Sequence, residues 1–386
     1  MNQQVPAIPH TRPPNPIEAG NDPTQRRPVA GIVNRMTPQA PKVTVGMAVY
    51  RGEKHIAEAI TSVLAETFVD WELLLVDDCS PDNSVEVIST FNDPRIRLLA
   101  NEANQGLVAV RNRIMAEARG TYVAWLDQDD LTFPTRLATQ VAYLDTHPYT
   151  ALCGSWTQLR YESLDGTVSV TTERLPQSHE QIRASMMFLN PIACNTVTMR
   201  RTAFVDRGLF FNEAFGNSLD YDMWSNASDE LLLHNLPVVL GAYRVHGSQT
   251  SQGAALEKMN SHAIEIQVDL ARRALGIEMS DDDRTWHRLA TIAPVLLTDS
   301  VQLAAIAAWF ARLRAANQES QAFAGRDFDA ALARQWTTVV LASARSQIPR
   351  KDLLRQAING ARQIGLPFGS LARSTSAGLR RRAARR

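Results

Sequence analysis

Cysteine is scarce and scattered. Cys79, Cys153 and Cys194 are the chain's three cysteines and show no C-x-x-C spacing. That excludes a disulfide framework and a cysteine-based structural zinc site, and it fits a reducing compartment. No uninterrupted apolar stretch reaches the about 18 residues of a membrane-crossing helix. The N-terminus lacks the apolar core of a secretory signal. Charge of either sign is in no excess, with 40 Lys and Arg against 40 Asp and Glu. The chain as a whole therefore has no polyanion-binding signature, and nucleic acid is not an expected partner. No fixed-period repeat is present. What remains is a chain of 386 residues, 45% hydrophobic and 21% charged, ordinary for one large or two medium domains and expected in the cytoplasm.

Composition divides it. Residues 1–41 are rich in proline, from Pro6 to Pro41, and otherwise mostly polar; they bury too little apolar surface to offset their ordering entropy and read as disordered. Residues 373–386 carry six arginines and no acid, a basic tail. Between them, 42–250 alternates strands with helices, and 251–372 reads as helices, with Ile264, Val268, Ala271 and Leu275 at helical spacing.

In the alternating part, Val43–Tyr50, Glu72–Asp78, Arg95–Leu99 and Thr121–Leu126 are apolar runs of strand length. Helices follow at about 54–68, 82–91, 106–118 and 135–146. This is the pattern of βαβ units and a parallel sheet. Beyond 151 the spacing predicts strands at 151–161 and 168–172 about a turn at 164–167, a helix at 178–188, a strand at 195–200, a helix opened by Leu219-Asp220, and a strand at 238–245.

The stretch Thr121-Tyr122-Val123-Ala124-Trp125-Leu126-Asp127-Gln128-Asp129-Asp130 is the centre of the sequence. A buried strand runs straight into three carboxylates, and ligands of open α/β sheets bind just past the strands' carboxyl ends. On extended backbone Asp127 and Asp129 share a side, and carboxylates that close repel unless a cation or a shared proton offsets them. Hard divalent metals join one or two carboxylates to substrate phosphates. Two readings follow: a metal–diphosphate site, or a solvated turn whose Asp130 caps the next helix.

The pieces in order are V-T-V-G-M-A-V-Y at 43–50, L-L-L-V-D-D-C-S-P-D-N-S at 73–84, N-Q-G-L-V-A-V-R-N at 104–112, Y-V-A-W-L-D-Q-D-D-L-T-F-P-T-R-L at 122–137, L-D-Y-D-M-W at 219–224 and Y-R-V-H-G-S-Q-T-S at 243–251. Together they resemble the family 2 glycosyltransferases of GT-A fold, over about residues 43–250. The resemblance implies an α/β fold with a mainly parallel central sheet, followed here by a C-terminal helical region. It implies a nucleotide-diphosphate sugar as donor and a glycan or lipid-linked acceptor. Ala48 and Tyr50 would line the base pocket. Asp78 would accept a hydrogen bond from uracil or thymine, supported by Asp77. Arg111 would approach the base or diphosphate, and Asp127 would hold the ribose. Asp129 would ligate Mg²⁺ or Mn²⁺, and His246, with Arg244 nearby, would reach the metal or diphosphate. Asp220 would be the catalytic base, with Asp222 as the alternative; Leu219 stands where the family often has Glu. No Q-x-x-R-W motif is present, which favours transfer of one sugar over polymer synthesis.

Two other readings stay open on sequence. A sugar-1-phosphate nucleotidyltransferase would share the sheet but should carry a Gly-rich basic loop after the first strand. A non-catalytic nucleotide-sugar-binding scaffold would not need Asp78, Asp129 and Asp220 together. The basic tail suggests peripheral contact with the anionic inner face of a membrane.

Overall fold

The computed structural model describes residues 40–162, 167–246, 254–344 and 348–366. The expected N-terminal segment (but for residues 40 and 41), the turn at 164–166, the motif residues 247–251 and the basic tail lie outside them.

Four strands and three helices alternate first: β1 (Val43–Val49), α1 (Ile56–Leu64), β2 (Trp71–Asp77), α2 (Ser84–Ser89), β3 (Ile96–Ala100), α3 (Leu107–Glu117) and β4 (Tyr122–Trp125). β3, β2, β1 and β4 lie side by side and parallel. Their apolar runs are continuous because both faces are covered. Leu73 and Leu75 pack on one face with α1 and Leu137, while Leu74 and Val76 pack on the other with Val110 and Ile114 of α3. The crossover into β4 is tight: a Cβ on Gly120 would stand 2.4 Å from the amide nitrogen of Thr44 and 2.7 Å from the carbonyl of Tyr122. Gly106, at φ 87°, opens α3 in a conformation that only glycine adopts freely.

Past Trp125 the sheet becomes mixed. Its strands are β5 (Leu131–Thr132), β6 (Thr150–Glu162), β7 (Val168–Glu173), β8 (Thr198–Arg200) and β9 (Leu232–Val245). β8 pairs antiparallel with β4 and β6, β9 runs parallel to β6, and β5 and β7 add antiparallel to β9 and β6. The helices of this half are α4 (Arg136–Thr146), α5 (His179–Met186), α6 (Arg201–Val205) and α7 (Leu219–Ala227). The seam between the halves is held by a buried cation. Arg136 Nη2 donates to the carbonyls of Trp125 and Val197, both at 2.9 Å. Burial pulls its pKa down to about 10, so it is still charged near pH 7.

Two differences from the sequence reading are instructive. The last strand starts at Leu232 rather than 238, because Pro237 sits in a register shift between Ser155 and Trp156 where the ladder needs no donor from it. β5 is a two-residue strand that only its distant partners Gly241 and Ala242 define.

The chain continues as α8 (Ala254–Leu275), α9 (Asp281–Thr291), α10 (Ser300–Ser320), α11 (Gly325–Ser343) and α12 (Arg350–Ile364). Capping boxes at Ser280 and Asp299 start α9 and α10. These helices share one apolar cluster with α3, α5 and α7. Through it runs a buried polar chain. Trp309 Nε1 donates to His287 Nδ1 at 3.1 Å. An indole can only donate, so the imidazole proton is on Nε2, which reaches Gln267 Oε1 at 3.0 Å. Gln267 Nε2 donates to Tyr221 Oη at 3.1 Å, and the Tyr221 hydroxyl donates to the Met186 carbonyl. Among the described residues no helix is long and apolar enough to cross a membrane.

Burial lowers the pKa of His287 to about 4. The unfolded chain therefore binds a proton there that the folded one refuses. The contribution is complete above the unfolded value of about 6.5 and is lost as pH falls toward 4, with a slope of up to about 1.4 kcal/mol per pH unit. Urea unfolding of His287→Gln should show a shallower loss of stability between pH 6.5 and 4 than the parent chain; identical slopes would remove His287 as the cause.

Candidate active site

The parallel strands deliver their carboxyl ends to one side of the sheet, and α7 arrives opposite them. Between these lies a cavity of about 710 Å³. Ala48, Tyr50, Asp78, Arg111, Asp127, Asp129 and Asp220 all line it. Asp77, Asp222 and His246 do not line it, and Asp222 accepts from Asn226 Nδ2 at 3.3 Å.

At the end of β1, Tyr50 is 39% exposed, a cavity aromatic rather than a core one. Its backbone N–H donates to Gln128 Oε1 at 3.0 Å, and Gln128 Nε2 donates back to the Tyr50 carbonyl at 2.9 Å. The amide of Gln128 thus acts as one rung of ladder between the ends of β1 and β4. Sequence reasoning gave Gln128 no role. The next residue, Arg51, has φ 55°, and Cys79 at the end of β2 has φ 59°. Non-glycine residues pay about 1–3 kcal/mol for this region and tend to cluster at functional sites.

Asp78 is buried and locked. Its Oδ1 accepts from Asn101 Nδ2 at 2.7 Å and from the Gln105 N–H at 2.9 Å; its Oδ2 accepts from the Gly106 N–H at 2.8 Å. Oδ2 therefore keeps a lone pair. Asp77 accepts from the Ser80 N–H at 3.1 Å and holds the turn that aims Asp78.

Residues 127–130 form a turn, not an extension of β4: the Asp130 N–H donates to the Asp127 carbonyl at 3.1 Å. Asp130 does not cap α4. It is buried and accepts from the Arg244 N–H at 2.9 Å, and burial, with Asp127 and Asp129 close by, raises its pKa well above the usual range. Arg244 braces the turn further, donating from Nε to the Asp129 carbonyl at 2.9 Å and pairing with Glu162 at 2.6 Å.

Arg111, on α3, is the buried cation of the cavity. Nη2 donates to Asp127 Oδ1 at 2.6 Å, Nη1 to Cys194 Sγ at 3.0 Å, and the guanidinium lies 5.5 Å from the rings of both Trp125 and Phe211. Burial works against its charge; Cys194, Asp127 and Asp220 more than offset it and raise the pKa. Burial also pushes the Cys194 thiol up to about 12, which keeps it neutral near pH 7, so the two carboxylates carry the offset. Asp220 lies in the first turn of α7. Burial raises its pKa, with Asp127 adding to the rise, while Arg111, the backbone N–H of Tyr221 and Asn190 hold it back.

Asp129 shows the pattern of a carboxylate short of a cation: burial and then Asp127 raise its pKa, while His246 and a backbone hydrogen bond within Asp129 work against them. Asp129 Oδ2 and His246 Nε2 are 3.0 Å apart, with side chains 22% and 13% exposed. Two ligands at about 2.1 Å on adjacent corners of an octahedron stand about 3.0 Å apart, so the pair fits a small divalent ion. Among the described residues no three His, Cys, Asp or Glu side chains converge as a metal cage. Substrate oxygens and water would have to fill the other positions, the usual arrangement for Mg²⁺.

A family profile for glycosyl transferase family 2 matches residues 44–209. An uncharacterized glycosyltransferase of Haemophilus influenzae is 32% identical over 219 residues, spanning 55% of this chain and 68% of that one. WfgD of Escherichia coli, described as a UDP-Glc:alpha-D-GlcNAc-diphosphoundecaprenol beta-1,3-glucosyltransferase, is 30% identical over 212 residues, 54% of this chain and 79% of that one. Residues 1–349 of S. aureus TarS, solved in complex with UDP-GlcNAc, share the fold with a TM-score of 0.51 at 18% identity, covering 85% of this chain and 93% of that one.

Removing the buried cation leaves Asp127 and Asp220 uncompensated. Arg111→Met should cost about 3–5 kcal/mol in urea unfolding at pH 7, and lowering the pH to 5 should narrow the gap as Asp220, whose pKa burial raises, takes up a proton. A loss that does not change with pH would mean that packing, not charge, is what Arg111 supplies.

Proposed function

The chain belongs to glycosyl transferase family 2, and from that premise we propose a metal-assisted, inverting transfer of one sugar from a UDP- or dTDP-sugar to a hydroxyl of a lipid-linked glycan. The observation that carries the proposal is the shared cavity: Asp78, Arg111, Asp127 and Asp129 on the sheet side and Asp220 on the helix side.

In this reading Tyr50 offers its ring to the base and Ala48 leaves room for it. The free lone pair of Asp78 Oδ2 accepts the imide N–H of uracil or thymine, and the three donors on its carboxylate keep it from turning away. Asp127, with Oδ1 taken by Arg111, holds the ribose with its other oxygen. A Mg²⁺ or Mn²⁺ ion held by Asp129 and His246 would supply positive charge to the departing nucleoside diphosphate. Arg111 places a fixed charge on the same wall. The acceptor hydroxyl is a weak nucleophile near neutral pH. Asp220 takes its proton as the acceptor oxygen bonds to the anomeric carbon and the bond from that carbon to phosphate oxygen breaks. Attack opposite the leaving group inverts the centre. The raised pKa of Asp220 suits a base working near neutrality.

A UDP donor and a diphosphate-lipid acceptor are named for WfgD, similar over much of its length. The arginines of 373–386 would add on the order of 1 kcal/mol each at an anionic surface, placing the enzyme at the inner membrane face within reach of such an acceptor.

The test is a panel of nucleotide sugars with Mn²⁺ or Mg²⁺, reading nucleoside diphosphate release with and without a lipid-linked acceptor extract. Release from a UDP- or dTDP-sugar should depend on metal. It should fall at least about 100-fold in Asp129→Asn, and Asp220→Asn should lose kcat with little change in donor KM. Turnover at the parent rate in Asp220→Asn would sink the assignment of the base.

A further inference from the structure

We propose that Asn190 is a positioning residue that clamps one oxygen of the Asp220 carboxylate and leaves the other for the acceptor hydroxyl; the proposal rests on Asp220 being the base. Asn190 Nδ2 donates to Asp220 Oδ2 at 2.9 Å. Among the described residues it is the one side chain that hydrogen-bonds to that carboxylate; Arg111 acts on Asp220 through charge while its own donors go to Asp127 and Cys194.

The amide cannot be turned over. Asn190 Oδ1 accepts the N–H of Ile192 at 3.3 Å, the turn in which an asparagine side chain satisfies the backbone two residues on. With the oxygen committed there, the nitrogen must face Asp220; exchanging them would break both bonds. The turn is anchored on each side. Leu189 N–H donates to the Ser185 carbonyl at 3.1 Å, the Pro191 carbonyl accepts from Asn235 Nδ2 at 3.0 Å, and Ile192 is in the core.

The acceptor of this hydrogen bond is anchored too. Asp220 is the second residue of α7, the Ser218 hydroxyl before it donates to the Met259 carbonyl at 3.0 Å, and Tyr221 after it sits in the buried polar chain. Two rigid backbones thus present a donor and a carboxylate to each other at the edge of the cavity, which both line. The consequence is twofold. Oδ2 is fixed by the amide, which leaves Oδ1 to take the acceptor proton. The bond also favours the ionised form of a carboxylate whose pKa burial raises, and a base must be ionised to act.

The experiment uses the full chain and three variants. Carboxyl ¹³C titration follows Asp220, assigned by its absence in Asp220→Asn, and pH–rate profiles follow turnover. In Asn190→Ala the Asp220 midpoint should rise by about one pH unit. The acidic limb of kcat/KM should rise with it, plateau kcat should fall about tenfold, and donor KM should stay within about twofold. Asn190→Asp keeps the shape of the side chain but sets two carboxylates together, and should move the midpoint further up; it keeps the test alive if the alanine variant folds poorly. An unmoved midpoint in the folded variants overturns the clamp, even if activity falls equally at every pH, since a merely structural role does that. A midpoint that moves while the acidic limb stays overturns the link to catalysis. Parent-level turnover in Asp220→Asn marks a failure of the base assignment itself, separate from the clamp.

Discussion

Arg111 shares the cavity wall with Asp127 and Asp220, and its charge is what lets carboxylates face one space from opposite directions. It is held away from water by Trp125 and Phe211, so its field is little screened. α3 delivers it there because Gly106 starts the helix directly beside the loop that grips Asp78. The same short segment, Gln105 to Arg111, therefore fixes the base-side carboxylate with its backbone and supplies the site's buried cation with its side chain.

The two halves of the sheet divide the work in physical terms. The parallel half is covered on both faces and ends in backbone that is strained at Arg51 and Cys79, a rigid lip on the donor side. The mixed half continues it through the β4–β8 ladder and a shared core, and polar side chains set the geometry around the site: Gln128 between the ends of β1 and β4, Arg136 at the seam, and Arg244 under the acidic turn. Each is a polar side chain pairing with backbone, so hydrogen-bond lengths as well as core packing fix the site's dimensions.

How far the sequence discloses this depends on the range of the interactions. β1 to β4 and their helices are legible because a strand buried on both faces and a helix with one apolar stripe leave local patterns. The acidic strand ends are legible for the same reason; of the seven cavity-lining candidates, Asp220 lies outside this region, in α7, and rests on the family resemblance. What stays hidden is set by partners far along the chain. The role of Gln128 depends on Tyr50, 78 residues away. Asp130 looks like a helix cap until Arg244, 114 residues on, occupies it. Asn190 looks like a loop asparagine until α7 places Asp220 beside it. Asp127 and Asp129 alternate in sequence, yet a turn, not a strand, sets where they point.

The polar chain from Trp309 through His287 and Gln267 to Tyr221 and the Met186 carbonyl has one proton per link, all pointing the same way. Such a string has a sense of direction, and replacing one member with a group of the wrong donor count leaves a mismatch that its neighbours cannot repair by rotating. The helices past residue 254 and the helix that carries Asp220 are thus bound to a common history: a neutral path between variants has to change these residues in pairs, so this buried line should drift as a block while the apolar residues around it trade places one at a time.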